Sequence, residues 1–231
     1  MSLTLVIGNK NYSSWSMRPW IALKAAAIPF EEVMIPLDLA DTKERIHGYS
    51  GAGRVPILVD GKIKVWESLA ILDYIAERFP QAGLWPQDQA ARAHARSAAT
   101  EMHGGFAALR EHCPMNLWRP VERLALTQEV ERDVARVTEL WREARKAHAQ
   151  KGAFLYGSFS AADAMFAPVV TRFHTYDIRC DEVSLAYIDA VHAHDAFKAW
   201  RDGALAEEQV IEASELDWPK VKKVAEAKHR A

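Results

Sequence analysis

Three short stretches near the start of the chain bring together side chains that could do chemistry. The first, residues 12–18, reads Tyr-Ser-Ser-Trp-Ser-Met-Arg and falls between a predicted strand and a predicted helix. A serine at such a place can simply cap the helix. Alternatively, its hydroxyl and the positive end of the helix dipole can together stabilise an anion, such as an ionised thiol. Ser13 and Ser14 are therefore the first candidate functional residues.

The second and third stretches lie where a loop enters a strand and where a strand enters a helix. Arg54, Val55 and Pro56 precede an apolar run, and a proline at a strand start favours an edge or a bend. If the peptide bond before Pro56 is cis, the Val55 N–H and C=O remain free to pair with an extended ligand. Glu67 and Ser68 open a predicted helix. They are ordinary capping residues there, but they would also suit the ammonium and carboxylate groups of an amino acid.

The first third of the chain predicts a small mixed sheet that would position these stretches. An apolar run of strand length occupies residues 3–7, and residues 30–35 are predicted to form a second strand. Two more strands flank a hairpin turn at Asp60-Gly61. Apolar residues at helical spacing predict one helix over residues 17–28 and another over residues 72–79. The order β-α-β, an irregular stretch, then β-β-α indicates a four-stranded mixed sheet with helices packed on it.

Beyond residue 88 the strand signals vanish, and apolar stripes at helical spacing predict an all-helical second domain. We therefore expect a first domain over residues 1–82, a linker over residues 83–87 and a helical domain over residues 88–231. The lysine-rich residues 219–231 are interpreted as a solvated tail or a frayed helix.

One helix of the second domain is expected to help bind a substrate. The spacing of its apolar residues predicts a helix over residues 102–113 that contains the adjacent pair Gly104 and Gly105. A glycine inside a helix costs about 1 kcal/mol relative to alanine, so we expect a ligand, a partner subunit or a neighbouring helix to approach the backbone there, and packing is the favoured explanation. His103 and Arg110 are seven residues apart on the same predicted face. They could meet an anionic co-substrate, or they could simply be solvated.

Composition excludes several other classes of protein. The 231 residues include 29 basic and 31 acidic side chains, which gives no footprint for nucleic acid or an anionic membrane. Two cysteines, Cys113 and Cys180, are too few for a secreted disulfide scaffold and form no CxxC motif. The nine histidines form no HExxH or comparable cluster, so no metal is expected. No signal-peptide core or membrane-length apolar run is found, and we expect a cytoplasmic protein.

Taken together, the three stretches resemble the glutathione S-transferase family. The shared order is Ser-x-x-Ser-x-Arg on the first helix, Val-Pro before a hairpin, and Glu-Ser at the start of the next helix. The resemblance covers nearly the whole chain. Ser160-Ala-Ala-Asp163 is similar to a structural capping box that the family carries in its helical domain. The resemblance implies a thioredoxin-like first domain, an all-α second domain and a homodimer.

The resemblance also implies glutathione as the co-substrate, bound by the first domain. Arg54 and the Val55 backbone would flank and pair with its cysteinyl part, and Pro56 would be cis. Glu67 and Ser68 would bind its γ-glutamyl end.

The activating hydroxyl implied by the resemblance is Ser14 or Ser13, as in the serine-using zeta and related bacterial classes, with Tyr12 as a minor option. The function implied is a glutathione transferase whose thiolate attacks a small electrophile. The alternatives are a non-catalytic glutathione-fold binding module and a zeta-type cis–trans isomerase. Trp15 stands where zeta proteins have cysteine, which weakens the isomerase alternative.

Overall fold

Four strands form one mixed sheet in the computed structural model, which describes residues 3–216. They are β1 (Leu3–Ile7), β2 (Phe30–Met34), β3 (Ile57–Asp60) and β4 (Ile63–Trp66), and their order in the sheet is β2-β1-β3-β4. β1 is parallel to β2 and antiparallel to β3, which is antiparallel to β4. A two-residue hairpin joins β3 and β4 as predicted, but Asp60 pairs with Ile63, so the turn residues are Gly61 and Lys62 and not the predicted Asp60 and Gly61.

Helices surround the sheet and then continue alone. Those interleaved with the strands are α1 (Ser14–Ala25), α2 (Thr42–His47) and α3 (Ser68–Arg78). Those that follow are α4 (Gln89–Gly104), α5 (Ala107–His112), α6 (Gln128–His148), α7 (Ala161–Thr175), α8 (Glu182–Ala193) and α9 (Asp195–Ala206). The predicted fold class, a thioredoxin-like mixed sheet followed by a helical region, is confirmed. Among the helices of residues 3–216, none combines the length and the apolar character needed to cross a membrane.

The alternation of side chains along β1 determines which helices cover each face of the sheet. Leu5 and Ile7 face one side and join the large apolar cluster that includes α1, α3 and the later helices. Val6 faces the other side, where it packs with Ile46 of α2 and Ile57. From the sequence we expect an irregular stretch where α2 lies. α2 is only six residues long, too short to show a repeating apolar stripe.

The predicted single helix over residues 102–113 is wrong, because α4 ends at Gly104 and α5 begins at Ala107. The Gly105 N–H donates to the Glu101 carbonyl at 2.7 Å and closes the end of α4. A Cβ on Gly105 would lie 2.6 Å from that same carbonyl oxygen. The glycine pair therefore ends a helix and does not serve the packing that the sequence analysis expects.

The start of α7 has the predicted capping box. The Ser160 N–H and hydroxyl both donate to Asp163 Oδ2, at 2.8 and 2.7 Å. The Leu155 N–H donates to Asp163 Oδ1 at 3.0 Å. Asp163 is fully buried, and this burial raises the pKa of its carboxyl to about 6. The role in folding predicted for Ser160 and Asp163 is thus confirmed.

The division of the chain into two domains stays a prediction. The proposed linker, residues 83–87, lies between the end of α3 and the start of α4. However, one apolar cluster runs from β1 through α1 and α7 to α9, so the two regions share a core. The predicted tail, residues 219–231, lies outside the described residues.

Candidate functional site

Ser13 caps α1 and uses its hydroxyl inside the protein. Ser13 Oγ accepts a hydrogen bond from the Ser16 N–H at 3.4 Å and donates its own proton to Ser16 Oγ at 2.7 Å. Ser16 Oγ also accepts from the Gly8 N–H at 3.1 Å, which ties the end of β1 to the first turn of α1. The Ser13 proton is therefore already committed to a structural hydrogen bond.

Ser14 is the first residue of α1 and lines a cleft beside it. It is only 8% exposed, yet its hydroxyl makes no hydrogen bond within residues 3–216. The positive end of the α1 dipole lies at the same place. Of the two candidate serines, Ser14 thus has the hydroxyl that can still donate a proton to a ligand.

The cleft has a volume of about 510 Å³ and collects several of the predicted site residues. Ser13, Ser14, Arg54 and Val55 all line it. The Val55–Pro56 peptide bond is cis, as the resemblance implies. Neither the N–H nor the C=O of Val55 is hydrogen-bonded to a group in the described part of the chain. These two groups can pair with the extended backbone of a ligand.

Glu67 and Ser68 lie at the start of α3 and border this cleft without lining it. Glu67 is in the left-handed region, with φ at 68°. Its carboxylate lies 3.7 Å from Arg54 Nη1 and 3.6 Å from His103 Nε2. Ser68 is 1% exposed, and its hydroxyl faces Met165 Sδ at 4.0 Å. Its main-chain N–H, at the start of the helix, is the group available to an anion.

The loop before the serine pair, residues 8–12, is fixed by hydrogen bonds to residues more than 100 positions away. The sequence pattern gives no sign of these contacts. Asn11 Oδ1 accepts from the N–H groups of Leu117 and Trp118, at 2.7 and 3.0 Å. The residues after α9, 207–215, form a C-terminal segment that lies on the same loop. In it, Glu207 accepts from the Lys10 and Asn11 N–H groups at 2.6 and 3.1 Å. The position of the serine pair therefore depends on distant residues.

Tyr12, the minor option for activating a thiol, is part of the same attachment. Its hydroxyl donates to Glu215 at 2.6 Å in the C-terminal segment. Burial raises the pKa of Tyr12, and the neighbouring Glu215 carboxylate adds to this effect. The Tyr12 proton is thus bound to a carboxylate inside the protein.

Three arginines gather on the helical side of the serine loop. Arg18, on α1, is fully buried, and its guanidinium carbon lies 4.1 Å from the centre of the Trp15 ring. The guanidinium of Arg110, on α5, lies 5.5 Å from the same ring. Arg172, on α7, lines the cleft together with Arg110. Burial lowers the pKa of all three, and repulsion between them adds to the shifts of Arg18 and Arg172.

The expectation that His103 and Arg110 share one helical face is wrong, because the helix is interrupted between α4 and α5. The turn at the glycine pair nevertheless keeps them close, and Arg110 Nη1 donates to the His103 carbonyl at 3.4 Å. Within residues 3–216, no three His, Cys, Asp or Glu side chains are grouped so that they could hold a metal ion.

Comparison with known proteins gives matches along the chain. The family model for the glutathione S-transferase N-terminal domain matches residues 12–78. Glutathione S-transferase 1 of Dianthus caryophyllus is 30% identical over 177 residues, which is 75% of this chain and 68% of that protein. Dichloromethane dehalogenase of Methylorubrum extorquens is 45% identical over 60 residues, 25% of this chain and 21% of that protein.

A probable maleylacetoacetate isomerase of Caenorhabditis elegans is 35% identical over 95 residues, 41% of this chain and 44% of that protein. The chain thus spans less than half the length of the first curated relatives that it matches. Among solved structures, a glutathione transferase homologue from Burkholderia with bound glutathione has a TM-score of 0.67 at 22% identity. That alignment covers 88% of this chain and 98% of the other, and it shows a shared fold.

Proposed function

This chain belongs to the glutathione S-transferase family, and we propose that it binds glutathione in the cleft beside α1 and activates its thiol. The observation that carries this proposal is the Ser14 hydroxyl, which has no partner within residues 3–216 and lies in the same cleft as the unpaired Val55 backbone. In the proposed reaction the bound thiolate attacks a small electrophile.

We propose that Ser14 stabilises the thiolate. Its O–H donates a hydrogen bond to the sulfur, and the positive end of the α1 dipole lowers the pKa of the thiol further. The thiol proton leaves to solvent, while Ser14 stays protonated. The electron pair of the sulfur then forms a bond to the electrophilic carbon, and the leaving group, such as a halide, departs with the electron pair of the bond that breaks. Ser13 has a structural role in this proposal, because its proton is committed to Ser16.

The remaining predicted residues would hold the rest of the tripeptide. The Val55 N–H and C=O would pair with the cysteinyl backbone, beside the cis bond to Pro56. The N–H of Ser68, at the start of α3, would bind the γ-glutamyl carboxylate. Glu67 would take the ammonium group of that residue, and Arg54, which lies 3.7 Å from the Glu67 carboxylate, would flank the ligand.

The test compares Ser14→Ala with Ser13→Ala as its matched control. We expect Ser14→Ala to raise the pKa of bound glutathione and to lower turnover about 100- to 1,000-fold, as loss of one donor to a developing anion does. Ser13→Ala should cost about 1 kcal/mol of stability through the lost cap but leave the thiol pKa in place. The thiolate absorbance of bound glutathione, titrated against pH, measures the first effect. If only Ser13→Ala raises the thiol pKa, the assignment of Ser14 is wrong.

The electrophile panel in this assay separates the alternatives. An isomerase would convert an unsaturated diacid without consuming glutathione, and the similarity to the probable maleylacetoacetate isomerase makes this the second candidate. A halogenated alkane belongs in the panel because of the similarity to dichloromethane dehalogenase. Glutathione binding without turnover of any member of the panel would favour the non-catalytic module.

We also propose a cytoplasmic homodimer, as the family resemblance implies. Ile63 and Trp66 are 50% and 49% exposed on β4, which is an edge strand of the sheet. Two large apolar side chains on an edge are candidates for contact with a second subunit. Sedimentation analysis of the wild type and of Trp66→Ser tests the proposed dimer. If β4 forms the interface, the variant should be shifted towards the monomer.

A further inference from the structure

The lining of the cleft beside α1 contains basic residues and no acidic residue. Of the sixteen described residues that line it, four are Lys or Arg and none is Asp or Glu. Arg54 and Lys43 belong to the region of the sheet, whereas Arg110 and Arg172 come from the helical region. Neither Arg110 nor Arg172 has a carboxylate within ion-pair distance in residues 3–216.

Arg172 is the most unusual of these cations because it is only 3% exposed. Two of its nitrogens are satisfied: Nε donates to the Cys113 carbonyl at 2.8 Å, and Nη1 donates to the Pro168 carbonyl at 2.9 Å. Nη2 has no hydrogen bond within residues 3–216. A buried charge without a counter-ion is strongly unfavourable, and ionisable groups perturbed by burial cluster at functional sites.

Arg18 increases the imbalance from beneath the cleft. Its Nε donates to the Met165 carbonyl at 3.0 Å, but its buried Nη2 has no partner among the described residues. Repulsion from Arg172 and Arg110, added to burial, lowers the pKa of Arg18. Arg18 and Arg110 thus lie against Trp15, and Arg172 lines the same cleft. One anion bound among the three would relieve their repulsion.

The nearest carboxylates are committed to other groups. Glu215 accepts from the Tyr12 hydroxyl and from Asn116 Nδ2, at 2.6 and 2.8 Å. Asp133, whose charge acts on Arg110, accepts from the Leu109 N–H at 2.9 Å. The Glu67 carboxylate lies beside Arg54 on the other side of the cleft. Asp133 acts on Arg110 from beyond ion-pair distance, and no carboxylate of residues 3–216 forms an ion pair with Arg110 or Arg172. A ligand can therefore supply the paired counter-charge.

Resting on the function proposed above, we propose that the electrophile of this enzyme carries a carboxylate, which Arg110 and Arg172 bind from the helical side of the cleft. A guanidinium binds a carboxylate through two parallel hydrogen bonds and so fixes the orientation of the substrate as well as its charge. In the proposed binding of glutathione, Arg54, Glu67 and the start of α3 contact the charged groups of the tripeptide. This leaves the two helical arginines to the second substrate.

The test uses two electrophiles, an anionic chloronitrobenzoate and its neutral methyl ester, and each kcat/KM is divided by the rate constant of the uncatalysed reaction with glutathione. In both, the glutathione sulfur bonds to the ring carbon that bears chlorine, and chloride leaves with the bonding electron pair. We expect the wild type to prefer the acid, and Arg110→Met to lower the acid-to-ester ratio of kcat/KM about 10- to 100-fold, as loss of a hydrogen bond to a charged group does. Arg110→Lys should restore part of the ratio, because it keeps the charge without the fork.

Controls separate binding of the electrophile from other effects. Arg132→Met, at an exposed arginine of α6, should leave the ratio in place. Arg172→Met would also remove two hydrogen bonds to carbonyls. Its effect on the acid-to-ester ratio is therefore interpreted only if its thermal midpoint equals that of the wild type. A wild type that prefers the ester, an equal loss for acid and ester in Arg110→Met, or a loss confined to the Kd for glutathione would overturn the proposal.

A second measurement requires neither turnover nor glutathione. Nitrobenzoate, which has no leaving group, is titrated calorimetrically into the chain alone, with nitrobenzamide as its neutral match. We expect nitrobenzoate to bind more tightly and Arg110→Met to abolish the difference. Equal binding of acid and amide by the wild type would overturn the anion site. Tight, Arg110-dependent binding of the acid without any turnover would support the site while the proposed enzymatic function fails.

Discussion

Replacing Asp163 by alanine should destabilise the protein by removing the acceptor on which the start of α7 depends. The Asp163 carboxylate receives the Ser160 N–H, the Ser160 hydroxyl and the Leu155 N–H. Ser160 and Leu155 are themselves 3% and 1% exposed, so water does not replace the lost acceptor. α7 in turn packs against α1, α4 and α8, and a loosened start would be felt throughout the core.

The magnitude follows from two opposing contributions. Each buried donor left without a partner costs about 1–3 kcal/mol, so two main-chain N–H groups together lose about 2–6 kcal/mol. The variant also no longer buries a carboxylate, which returns part of this loss. We therefore expect a net loss of about 3 kcal/mol at pH 7, or about 6–12 °C in the thermal midpoint for a chain of this size.

The pH dependence of that loss has a definite sign. The pKa of Asp163 is about 6 in the folded state against 3.8 as its ordinary value, so the folded wild type takes up a proton first as pH falls. Its stability contribution is complete below pH 4 and is lost as pH rises through 6. Linkage gives the wild type about 1.4 kcal/mol between pH 7 and pH 5, which Asp163→Ala cannot gain. The difference between the two proteins should grow to about 4 kcal/mol at pH 5.

Urea denaturation at both pH values measures these free energies. The matched control is Asp181→Ala, which removes a similar cap from α8 at a side chain that is 34% exposed and accepts from Ser184. That variant should lose only about 1 kcal/mol, as an accessible cap does. A loss for Asp163→Ala no larger than for the control, or one that shrinks between pH 7 and pH 5, would refute the reasoning.

Three further predictions concern other parts of the fold. Burial lowers the pKa of His192 to about 4, so the folded state resists protonation and loses about 2 kcal/mol of stability between pH 7 and pH 5. His192→Gln should reduce this acid-induced loss in thermal unfolding, opposite in sign to Asp163, whereas the exposed His112→Gln should not. Glu207→Gln should cost about 1–2 kcal/mol and slow turnover, because one of two main-chain N–H groups loses a charged acceptor. Its neighbour Glu208→Gln should have no effect, and equal effects would contradict the proposed attachment of the loop. Gly105→Ala should destabilise by about 1–3 kcal/mol because its Cβ would lie 2.6 Å from the Glu101 carbonyl. A Cβ on Gly104 has no atom within 4 Å, so Gly104→Ala should stabilise the protein by up to about 1 kcal/mol. A loss of stability in this variant would contradict the end of α4 at Gly104.

Features set by neighbours within a few residues could be predicted from the sequence. The hairpin between β3 and β4 and the Ser160–Asp163 capping box depend on residues two or three positions apart. Both are present, although the turn lies one residue later than predicted. β1 and β3 are similarly marked by short apolar runs. Ser13 and Ser14 could be named as a pair, but their distinct environments depend on Ser16, whose hydroxyl accepts the Ser13 proton.

Features made by contacts between distant parts of the chain could not be predicted in this way. Arg172 is a single basic residue in the apolar helix α7, and the sequence pattern alone gives it no function. Its importance becomes visible only in the fold, where Arg110 lies close enough to lower its pKa. Asn11 is one polar residue in a polar loop, yet its side chain accepts from residues more than 100 positions away. Local spacing carries no information about such partners.

The attachment of the loop before α1 by the C-terminal segment has a consequence for the newly made chain. Glu207 is 197 residues from Lys10, whose N–H it accepts. At a synthesis rate of about 5–20 residues per second, the ribosome needs about 10–40 s to make the residues between them. During this time the serine loop has emerged without the groups that fix it. A nascent chain can therefore build its sheet early, but a glutathione-binding competence that depends on this loop should mature only after Glu207 has been made.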